Sequence, residues 1–337
     1  MTRLRVIVDP AFRRMDEIFS NDARVQLDGL AEVIWGSDDV MPASEFLTVA
    51  PSADIIVFGG WRHGRPGLDA ASNVRALLEV AGGHEHDLDY TEALRRGMLI
   101  GSCAPAFTDV VAEHTLGLAI AAARGITTAD RAMRAGAERW LHDGNRNNTT
   151  LLGATVGFVG CGGIAQSLLR MLEPFGVRAL GYDPPLGDAR VRAAGFAPRA
   201  LDELFVDSHV VFVLAAPTAT NRQIVSADLL DQLSPSDVLV VTSRSHLVDF
   251  DALVDRLEND NLKAAIDVFP SEPLPADDPL RGAEPAVLTP HLAGALPDAL
   301  LRIGDLVVRD LGSITRGERP TGLQYLDATN RAGLVQH

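Results

Sequence analysis

The sequence predicts an α/β fold made of two doubly wound parallel-sheet domains, and three observations support that prediction. Hydrophobic runs of strand length alternate with helix-like segments along the whole chain, a pattern typical of parallel sheets. The chain has 337 residues, which is too many for one ordinary hydrophobic core and fits two domains. A glycine-rich turn at residues 160–165 joins a strand-like run to a helix-like segment, as in the first β–α connection of a doubly wound sheet.

The first third of the chain is predicted to form the smaller domain. Segments rich in alanine, leucine and arginine separate its hydrophobic runs and suit short helices. The predicted strands cover residues 5–8, 33–35, 54–59, 74–80 and 98–102.

A larger second domain is predicted to follow a helical connection. The alanine-rich stretch from Phe107 to Arg139 contains no proline and predicts one or two helices. Six further hydrophobic runs give the strand number of a complete doubly wound domain. They cover residues 155–159, 179–182, 210–214, 238–242, 264–268 and 287–288. Near the end of the chain, residues 299–312 predict an amphipathic helix.

The charge balance restricts the possible partners. A net charge of −15 disfavours non-specific binding to nucleic acids or anionic membranes, since both need a positive surface. A locally basic pocket for an anionic small molecule stays compatible with that charge.

The location is predicted from the N-terminus, the apolar runs and the cysteines. The N-terminus predicts a β-strand rather than a signal peptide, and the longest apolar runs fall short of the ~20 residues that span a bilayer. Cys103 and Cys161 suit a reducing compartment and cannot form a disulfide framework. We therefore expect a cytoplasmic protein that binds neither membranes nor nucleic acids.

The glycine-rich turn matches the dinucleotide-binding motif Gly-x-Gly-x-x-Gly/Ala through Gly160, Gly162 and Ala165. The first glycine allows the turn, and the second lets the backbone approach a pyrophosphate, which the helix N-terminus attracts. A tight β–α turn without a ligand is the alternative.

Asp183 favours the dinucleotide interpretation. It ends the next predicted strand, about twenty residues downstream, where a carboxylate can bind the ribose hydroxyls of the adenosine. A carboxylate there would repel the 2′-phosphate of NADP, and no arginine directly follows it. The sequence therefore predicts NAD as the cofactor.

Three polar residues, Arg244, Glu272 and His291, each follow a predicted strand of the second domain. The carboxyl ends of parallel strands meet at the edge where α/β sheets bind ligands. An arginine there can bind a carboxylate and a carbonyl oxygen together. A histidine whose tautomer and protonated form are stabilised by a glutamate can give a proton to an alkoxide as hydride arrives. The set predicts reversible reduction of a 2-keto acid by NADH.

Each of these residues also has an ordinary alternative. Arg244 could be a surface arginine on a β–α loop, and Glu272 a solvated loop acid. His291 could be a capping or packing histidine. The sheet edge that all three share favours the catalytic interpretation.

Together these motifs resemble those of the D-isomer-specific 2-hydroxyacid dehydrogenase family. The resemblance implies a cofactor domain of the Rossmann type at residues 104–294. It also implies a smaller flavodoxin-like substrate domain that is discontinuous, at residues 1–103 and 295–337. The matching segments are the glycine-rich turn with Asp183, Thr242-Ser243-Arg244, Asp267 to Pro273, Thr289-Pro290-His291, and a linking helix with Ala112 to Leu116.

The resemblance also implies which residues bind the cofactor. Asp267 would bind the nicotinamide carboxamide, and an ordinary acid at a strand end is the alternative. The full set is Gly160, Gly162, Gly163, Ile164, Asp183, Pro217, Thr220, Ser243, Asp267 and Gly294.

The predicted substrate loop departs from the family pattern. Relatives have Gly-x-Gly-x-Asp where this chain has the sequence GGHEH at residues 82–86. The resemblance implies that the backbone amides of Gly83 and His84 hold the substrate carboxylate. His84, Glu85 and His86 also suggest a metal site, but this spacing in a loop is a weak signal. We therefore predict no metal and favour structural histidines.

Arg62 and Arg65 lie in another loop, where relatives place residues that select the substrate side chain. Either arginine could bind a second anionic group on the substrate, such as a carboxylate, phosphate or phosphonate. A solvated basic turn is the alternative.

Trp140 resembles a tryptophan that relatives insert towards the partner subunit, which implies a homodimer. An ordinary buried tryptophan would look the same in sequence.

The predicted function is reversible hydride transfer between NAD(H) and a 2-keto acid or D-2-hydroxy acid. One rival is a family member specialised for phosphonate or phosphorylated 2-keto acids, motivated by Arg62, Arg65, His84 and His86. Another is a non-catalytic NAD(H)-sensing protein, because the same fold serves corepressors of transcription.

Overall fold

The computed structural model describes residues 3–84, 88–259 and 262–326. The chain divides into two compact units, one of Met1–Phe107 with Gly294–His337 and the other of Thr108–Ala293. The sequence places these boundaries after residues 103 and 294. Each unit has its own sheet and hydrophobic core.

The hydrophobic runs form strands, and five of the described strands are buried along their whole length, as in sheets covered on both faces. In chain order the strands are β1 (Leu4–Asp9), β2 (Ala31–Gly36), β3 (Ile55–Phe58), β4 (Ala76–Glu79), β5 (Leu99–Ser102), β6 (Thr155–Val159), β7 (Arg178–Tyr182), β8 (Ala197–Pro198), β9 (Val210–Val213), β10 (Val238–Val241), β11 (Lys263–Ile266), β12 (Ala286–Leu288) and β13 (Gln324–Tyr325).

Helices fill most connections between the strands. In chain order they are α1 (Met15–Ile18), α2 (Asn21–Leu30), α3 (Ala43–Val49), α4 (Gly64–Ala70), α5 (Tyr90–Arg95), α6 (Ala104–Ala123), α7 (Ile126–Ala135), α8 (Gly163–Leu172), α9 (Asp188–Ala193), α10 (Leu201–Asp207), α11 (Ala227–Leu230), α12 (Phe250–Asn259) and α13 (Pro297–Thr315).

The first unit contains a six-stranded sheet in the order β13-β5-β4-β3-β1-β2. Strands β1 to β5 pair in parallel, and their order is that of flavodoxin-like sheets. The last strand, β13, pairs antiparallel with β5. The prediction of a small doubly wound domain is confirmed, although the sequence pattern did not indicate β13.

The second unit contains a seven-stranded parallel sheet in the order β12-β11-β10-β9-β6-β7-β8. Counted from β6, its first six strands have the order 3-2-1-4-5-6 of a dinucleotide-binding sheet. The switch point of that order lies between β6 and β9, which are neighbours. The predicted Rossmann architecture is therefore confirmed.

The alanine-rich stretch after β5 forms two helices, α6 and α7, separated by Gly125 in a left-handed conformation. Helix α6 has 20 residues and is apolar enough to cross a membrane by length and composition alone. Half of its most apolar window is buried inside the protein. Ala112, Leu118 and Ala119 belong to the core of the second unit, as expected for a core helix.

A buried carboxylate fixes the last described segment of the first unit. Asp310 on α13 is fully buried. Its Oδ1 accepts hydrogen bonds from the backbone amides of Thr321 and Gly322. Its Oδ2 accepts from the Leu323 amide and the Tyr325 hydroxyl. These bonds hold β13 in place beside β5.

Replacing Asp310 by asparagine should destabilise the protein by about 1–3 kcal/mol, because an amide nitrogen would face backbone N–H donors in a buried site. The measurement is chemical denaturation of the purified protein. Asp305→Asn, at an exposed position of the same helix, is the control and should change stability by less than about 0.5 kcal/mol. Equal midpoints for the two variants would contradict this role of Asp310.

Candidate active site

The glycine-rich turn lies between β6 and α8, at the carboxyl edge of the second sheet. Gly160 has φ +95°, and a Cβ atom there would lie 2.4 Å from the backbone nitrogen of Ala215. The turn therefore requires glycine. A Cβ on Gly162 would meet nothing within 4 Å among the described residues, so its backbone is open to a ligand. Gly163 and Ile164 begin α8, whose N-terminus attracts phosphate.

Asp183 directly follows β7 and connects two loops at this edge. Its carboxylate accepts a 2.8 Å hydrogen bond from the Cys161 amide and a 3.1 Å bond from the Leu186 amide. Both bonds come from the backbone, so the position of the carboxylate depends on the fold rather than on a flexible side chain.

A cavity of about 310 Å³ lies beside Asp183. Its charged lining consists of the carboxylates of Asp183, Asp188 and Glu203 and the guanidinium of Arg199. The Arg199 Nε lies 3.7 Å from an Asp207 carboxylate oxygen. The open turn, the helix N-terminus and the carboxylate at the strand end fit the pyrophosphate and adenosine ribose of a dinucleotide.

Pro217 and Thr220 lie in the loop after β9. Hydrogen bonds inside the loop shape it: the Asn221 side chain accepts from the Thr218 amide and donates to the Ala216 carbonyl. A ring nitrogen of His246 lies 2.9 Å from the Thr218 carbonyl oxygen.

Ser243 and Arg244 directly follow β10. Ser243 is buried, and its hydroxyl donates to the Val213 carbonyl at 3.0 Å. The Arg244 guanidinium donates to the Ser243 carbonyl at 2.7 Å, which turns the half-buried side chain back along its own strand end.

His291 and Glu272 form a direct pair in the second unit. The His291 Nδ1 lies 2.7 Å from Glu272 Oε2, while Glu272 Oε1 accepts from the Phe269 amide. The two side chains are 44% and 38% exposed. His291 also has φ +51°, an uncommon backbone conformation for a residue with a side chain, and such positions cluster at active sites.

The surroundings of Glu272 stabilise its ionised form. Partial burial raises the pKa of this carboxyl group. The hydrogen bonds from His291 and the Phe269 amide, together with the positive charge of Arg244, outweigh that effect. The resulting pKa lies below the usual value of 4.5. Glu272 is therefore a carboxylate at neutral pH and stabilises a protonated imidazole.

Asp267 holds the loop that contains His291. The carboxylate is fully buried and accepts hydrogen bonds from the Thr289 hydroxyl and from the amides of Leu292 and Ala293. His114 on α6 also lies 3.2 Å from the Thr289 hydroxyl. Within the described residues, Asp267 therefore positions the loop that contains His291, and its expected bond to the nicotinamide stays a prediction. Gly294 follows this loop and is half-buried.

The predicted substrate loop belongs to the first unit. Gly83 is half-buried, and the His84 Nδ1 lies 2.7 Å from a carboxylate oxygen of Glu79. His86 and Glu85, raised as possible metal ligands, lie outside the described residues. Among the described ones, no group of three His, Cys, Asp or Glu side chains could hold a metal ion.

Arg62 and Arg65 are both engaged within the first unit. Arg65 forms ion pairs with Asp69, Asp89 and Glu92 at 3.1–3.3 Å. Arg62 donates to the backbone carbonyl of Ala11 at 2.9 Å. These contacts favour the alternative of a solvated basic turn over direct binding of a second anionic group.

Several residues of the site were not indicated by the sequence pattern. Arg199 follows β8, which is too short to appear as a hydrophobic run. His114 and Thr289 lie within recognised motifs, but only the fold shows that they contact each other. Glu79 looks like an ordinary residue at a strand end until its contact with His84 is seen.

The family model described as "D-isomer specific 2-hydroxyacid dehydrogenase, NAD binding domain" matches residues 116–293. A glyoxylate reductase of Thermofilum pendens is 33% identical over 261 residues, which cover 76% of each chain. A D-3-phosphoglycerate dehydrogenase of Mycobacterium tuberculosis is 29% identical over 288 residues, 85% of this chain and 53% of that relative.

Among solved structures, a phosphoglycerate oxidoreductase from Rhizobium etli is similar, with a TM-score of 0.82 and 30% sequence identity. The match covers 96% of this chain and 99% of that one. The similarity therefore extends over both units and is not limited to the glycine-rich turn.

Proposed function

The chain belongs to the D-isomer-specific 2-hydroxyacid dehydrogenase family, and on that premise we propose that His291 is the acid and base of its reaction. Family membership makes the chain an oxidoreductase that transfers hydride between NAD(H) and a 2-keto acid or 2-hydroxy acid. The observation that carries the proposal is the 2.7 Å contact between His291 and Glu272. This pair lies at the end of the sheet that carries the glycine-rich turn.

The geometry of this pair determines which ring nitrogen of His291 exchanges a proton with the substrate. Glu272 accepts the hydrogen of Nδ1, which leaves Nε2 as the atom that exchanges a proton with substrate. In reduction, bound NADH supplies hydride to the carbonyl carbon. Nε2 gives its proton to the carbonyl oxygen, and the products are the 2-hydroxy acid and NAD⁺. In oxidation, neutral His291 removes the hydroxyl proton as hydride leaves.

Arg244 is proposed to orient the substrate. Its guanidinium donates to the Ser243 carbonyl, and a guanidinium is suited to binding a carboxylate and a carbonyl oxygen. The amides of Gly83 and His84 are proposed to hold a substrate carboxylate. The similarity to a glyoxylate reductase and a D-3-phosphoglycerate dehydrogenase favours an enzyme over an NAD(H)-sensing protein, since related corepressors also keep catalytic-type residues.

His291→Asn should lower kcat by roughly 10²- to 10⁴-fold, the usual contribution of general acid–base catalysis, while NADH still binds. Glu272→Gln should make reduction fall off at a lower pH than in the wild type, because the imidazolium loses its carboxylate partner. Steady-state rates across pH and NADH fluorescence titration are the measurements. Near-normal rates for both variants would show that the proton comes from elsewhere.

The cofactor is proposed to be NAD rather than NADP. Three carboxylates, those of Asp183, Asp188 and Glu203, line the cavity at the end of β7, against one guanidinium. That guanidinium belongs to Arg199, and the nearby carboxylate of Asp207 weakens its attraction for a second anion. The carboxylates that line this cavity would therefore repel the 2′-phosphate of NADP.

The wild type should use NADH in clear preference to NADPH. Asp183→Ala should reduce this preference mainly by weakening NADH, since the ribose loses its hydrogen bonds. The measurement is kcat/KM for both cofactors with one keto acid. A wild type that uses the two equally well would contradict the role of Asp183.

The substrate is proposed to be a small 2-keto acid. The relatives named above are glyoxylate reductases and phosphoglycerate dehydrogenases, so substrates with and without a phosphate group occur among similar proteins. A phosphorylated or phosphonate 2-keto acid is the second candidate. This candidate requires a cationic side chain in the first unit that binds the second anionic group.

We also propose a cytoplasmic location. Cys103 and Cys161 are both free and buried, as expected in a reducing compartment. Burial raises the pKa of Cys161 to about 12, so this thiol next to the cofactor turn is unreactive.

A homodimer is proposed from an exposed apolar surface of the second unit. Thr128 and Arg131 on α7 donate hydrogen bonds to the Glu284 carbonyl, while apolar side chains of α7 and of the segment that follows it are exposed. Each of these is more than half exposed: Ile126, Met133, Trp140 and Leu141. A buried Trp140 is thereby excluded. A second copy of the chain is the proposed occupant of this surface.

Combining Met133→Lys with Trp140→Ser should convert the dimer to a monomer, because a charge and a polar group would then be buried in the interface. Sedimentation velocity at several concentrations measures this. Val25→Lys, an exposed apolar position of the first unit, is the control and should leave the sedimentation coefficient unchanged. A monomeric wild type would contradict the proposal.

A further inference from the structure

The carboxyl edge of the first sheet contains several buried polar atoms that lack a hydrogen-bond partner among the described residues. Two belong to strand ends and three to the loops that follow β1, β3 and β4. Buried polar groups are nearly always satisfied by protein, water or ligand, so this concentration at one edge indicates a site for a polar ligand. The atoms are Asp9 Oδ1, Arg13 Nε, His63 Nδ1, His84 Nε2 and Ser102 Oγ.

Arg13 provides a cation at this edge that is not neutralised. Its guanidinium carbon lies 5.0 Å from the centre of the Phe12 ring and 5.5 Å from that of Phe107. Within the described residues the guanidinium makes these ring contacts but no hydrogen bond or ion pair. Burial lowers the pKa of Arg13, opposed by Glu17 and Cys103, but arginine stays charged in proteins. A partly desolvated cation of this kind attracts an anion.

The turn before Arg13 holds an unusual conformation. The Arg13 amide donates to the Pro10 carbonyl at 2.8 Å, which closes a tight turn. Phe12 occupies the third position of that turn with φ +82°, where glycine is favoured. Its ring is 61% exposed and lies against the guanidinium instead of in the core. Backbone strain of this kind is typical of binding sites.

His84, in the loop beside the same aromatic ring, provides a second donor in its protonated form, since Nδ1 faces the Glu79 carboxylate and Nε2 carries a hydrogen only in the imidazolium. Its side chain is 8% exposed, and its Nδ1 is fixed by the fully buried carboxylate of Glu79 at 2.7 Å. This contact orients Nε2, which is the unsatisfied atom. A Cβ on Gly82 would lie 3.4 Å from the Phe107 ring. Phe107 therefore contacts both the Arg13 guanidinium and the loop that leads to His84.

We infer that Arg13 and His84 bind a second anionic group of the substrate, a phosphate or carboxylate beyond its 2-keto acid. The inference rests on the proposed function, in which the amides of Gly83 and His84 hold the keto-acid carboxylate. A guanidinium binds two oxygens of such a group through parallel N–H donors.

Three acids near this site leave Arg13 without a direct partner in the described part of the chain. Glu79 is in contact with His84, and Asp9 lies 3.8 Å from a ring nitrogen of His63. Glu17 acts on Arg13 through its charge, but among the described residues its carboxylate accepts from the Arg14 amide and forms no ion pair with Arg13. Arg13, in contrast to Arg65 with its three carboxylates, keeps its donors for a ligand.

The test compares hydroxypyruvate with 3-phosphohydroxypyruvate, which differ by one phosphate group, with NADH as reductant. Arg13→Gln should lower kcat/KM for the phosphorylated substrate by roughly ten- to a hundred-fold, the loss typical of one charge-assisted contact, mostly through KM. The value for hydroxypyruvate should change by less than about twofold. Arg13→Lys should recover part of the loss, because it restores the charge without the planar donors.

Arg14→Gln is the matched control, since Arg14 is adjacent, exposed and paired with Asp16 at 3.0 Å. It should leave both substrates unaffected. Melting temperatures and NADH affinity verify that every variant is folded.

Equal losses on both substrates in Arg13→Gln, or none on either, would overturn the inference and leave the proposed function standing. A wild type that prefers hydroxypyruvate would overturn it as well. A wild type that reduces neither compound, nor glyoxylate or pyruvate, would overturn the proposed function itself.

Discussion

The second unit depends on one constraint, the common register of its parallel strands. Six strands end in the same row, in which each last residue pairs with the last residue of its neighbour. Every chain segment that leaves the sheet there begins at the same edge, so residues far apart in sequence meet without further devices. The residues of this row are Val159, Tyr182, Val213, Val241, Ile266 and Leu288.

Asp267 fixes the loop that contains His291 at this edge of the sheet. A fully buried carboxylate is unfavourable unless hydrogen bonds satisfy it, and here the donors come from the residues on both sides of His291. The backbone of the loop is thus held from within the protein while the imidazole stays accessible. His291 accordingly keeps its positive φ, which a loosely held loop would relax.

The sequence was sufficient for the two sheets and for the family, and insufficient for the direction of charged side chains. Long buried strands are visible as hydrophobic runs, whereas β8 and β13 have two residues each and give no pattern. Arginine content in a loop does not tell which guanidinium is already paired. Arg65 has three carboxylate neighbours that come from two helices and a loop, and only the fold brings them together. Arg13 lies in a loop with no recognised motif, so the sequence gives no indication that it binds a ligand.

Among the described residues, two imidazole–carboxylate pairs have the same 2.7 Å separation and different surroundings. His291 and Glu272 are 44% and 38% exposed, whereas His84 and Glu79 are 8% and 0% exposed. An accessible imidazole can exchange its proton with substrate and water, as a reversible acid and base must. In the buried pair the attraction is less screened, and removal of one partner leaves an uncompensated buried group. Burial therefore suits the pair of His84 and Glu79 to fixing the direction of the His84 ring rather than to repeated proton transfer. The same contact has different consequences in the two units.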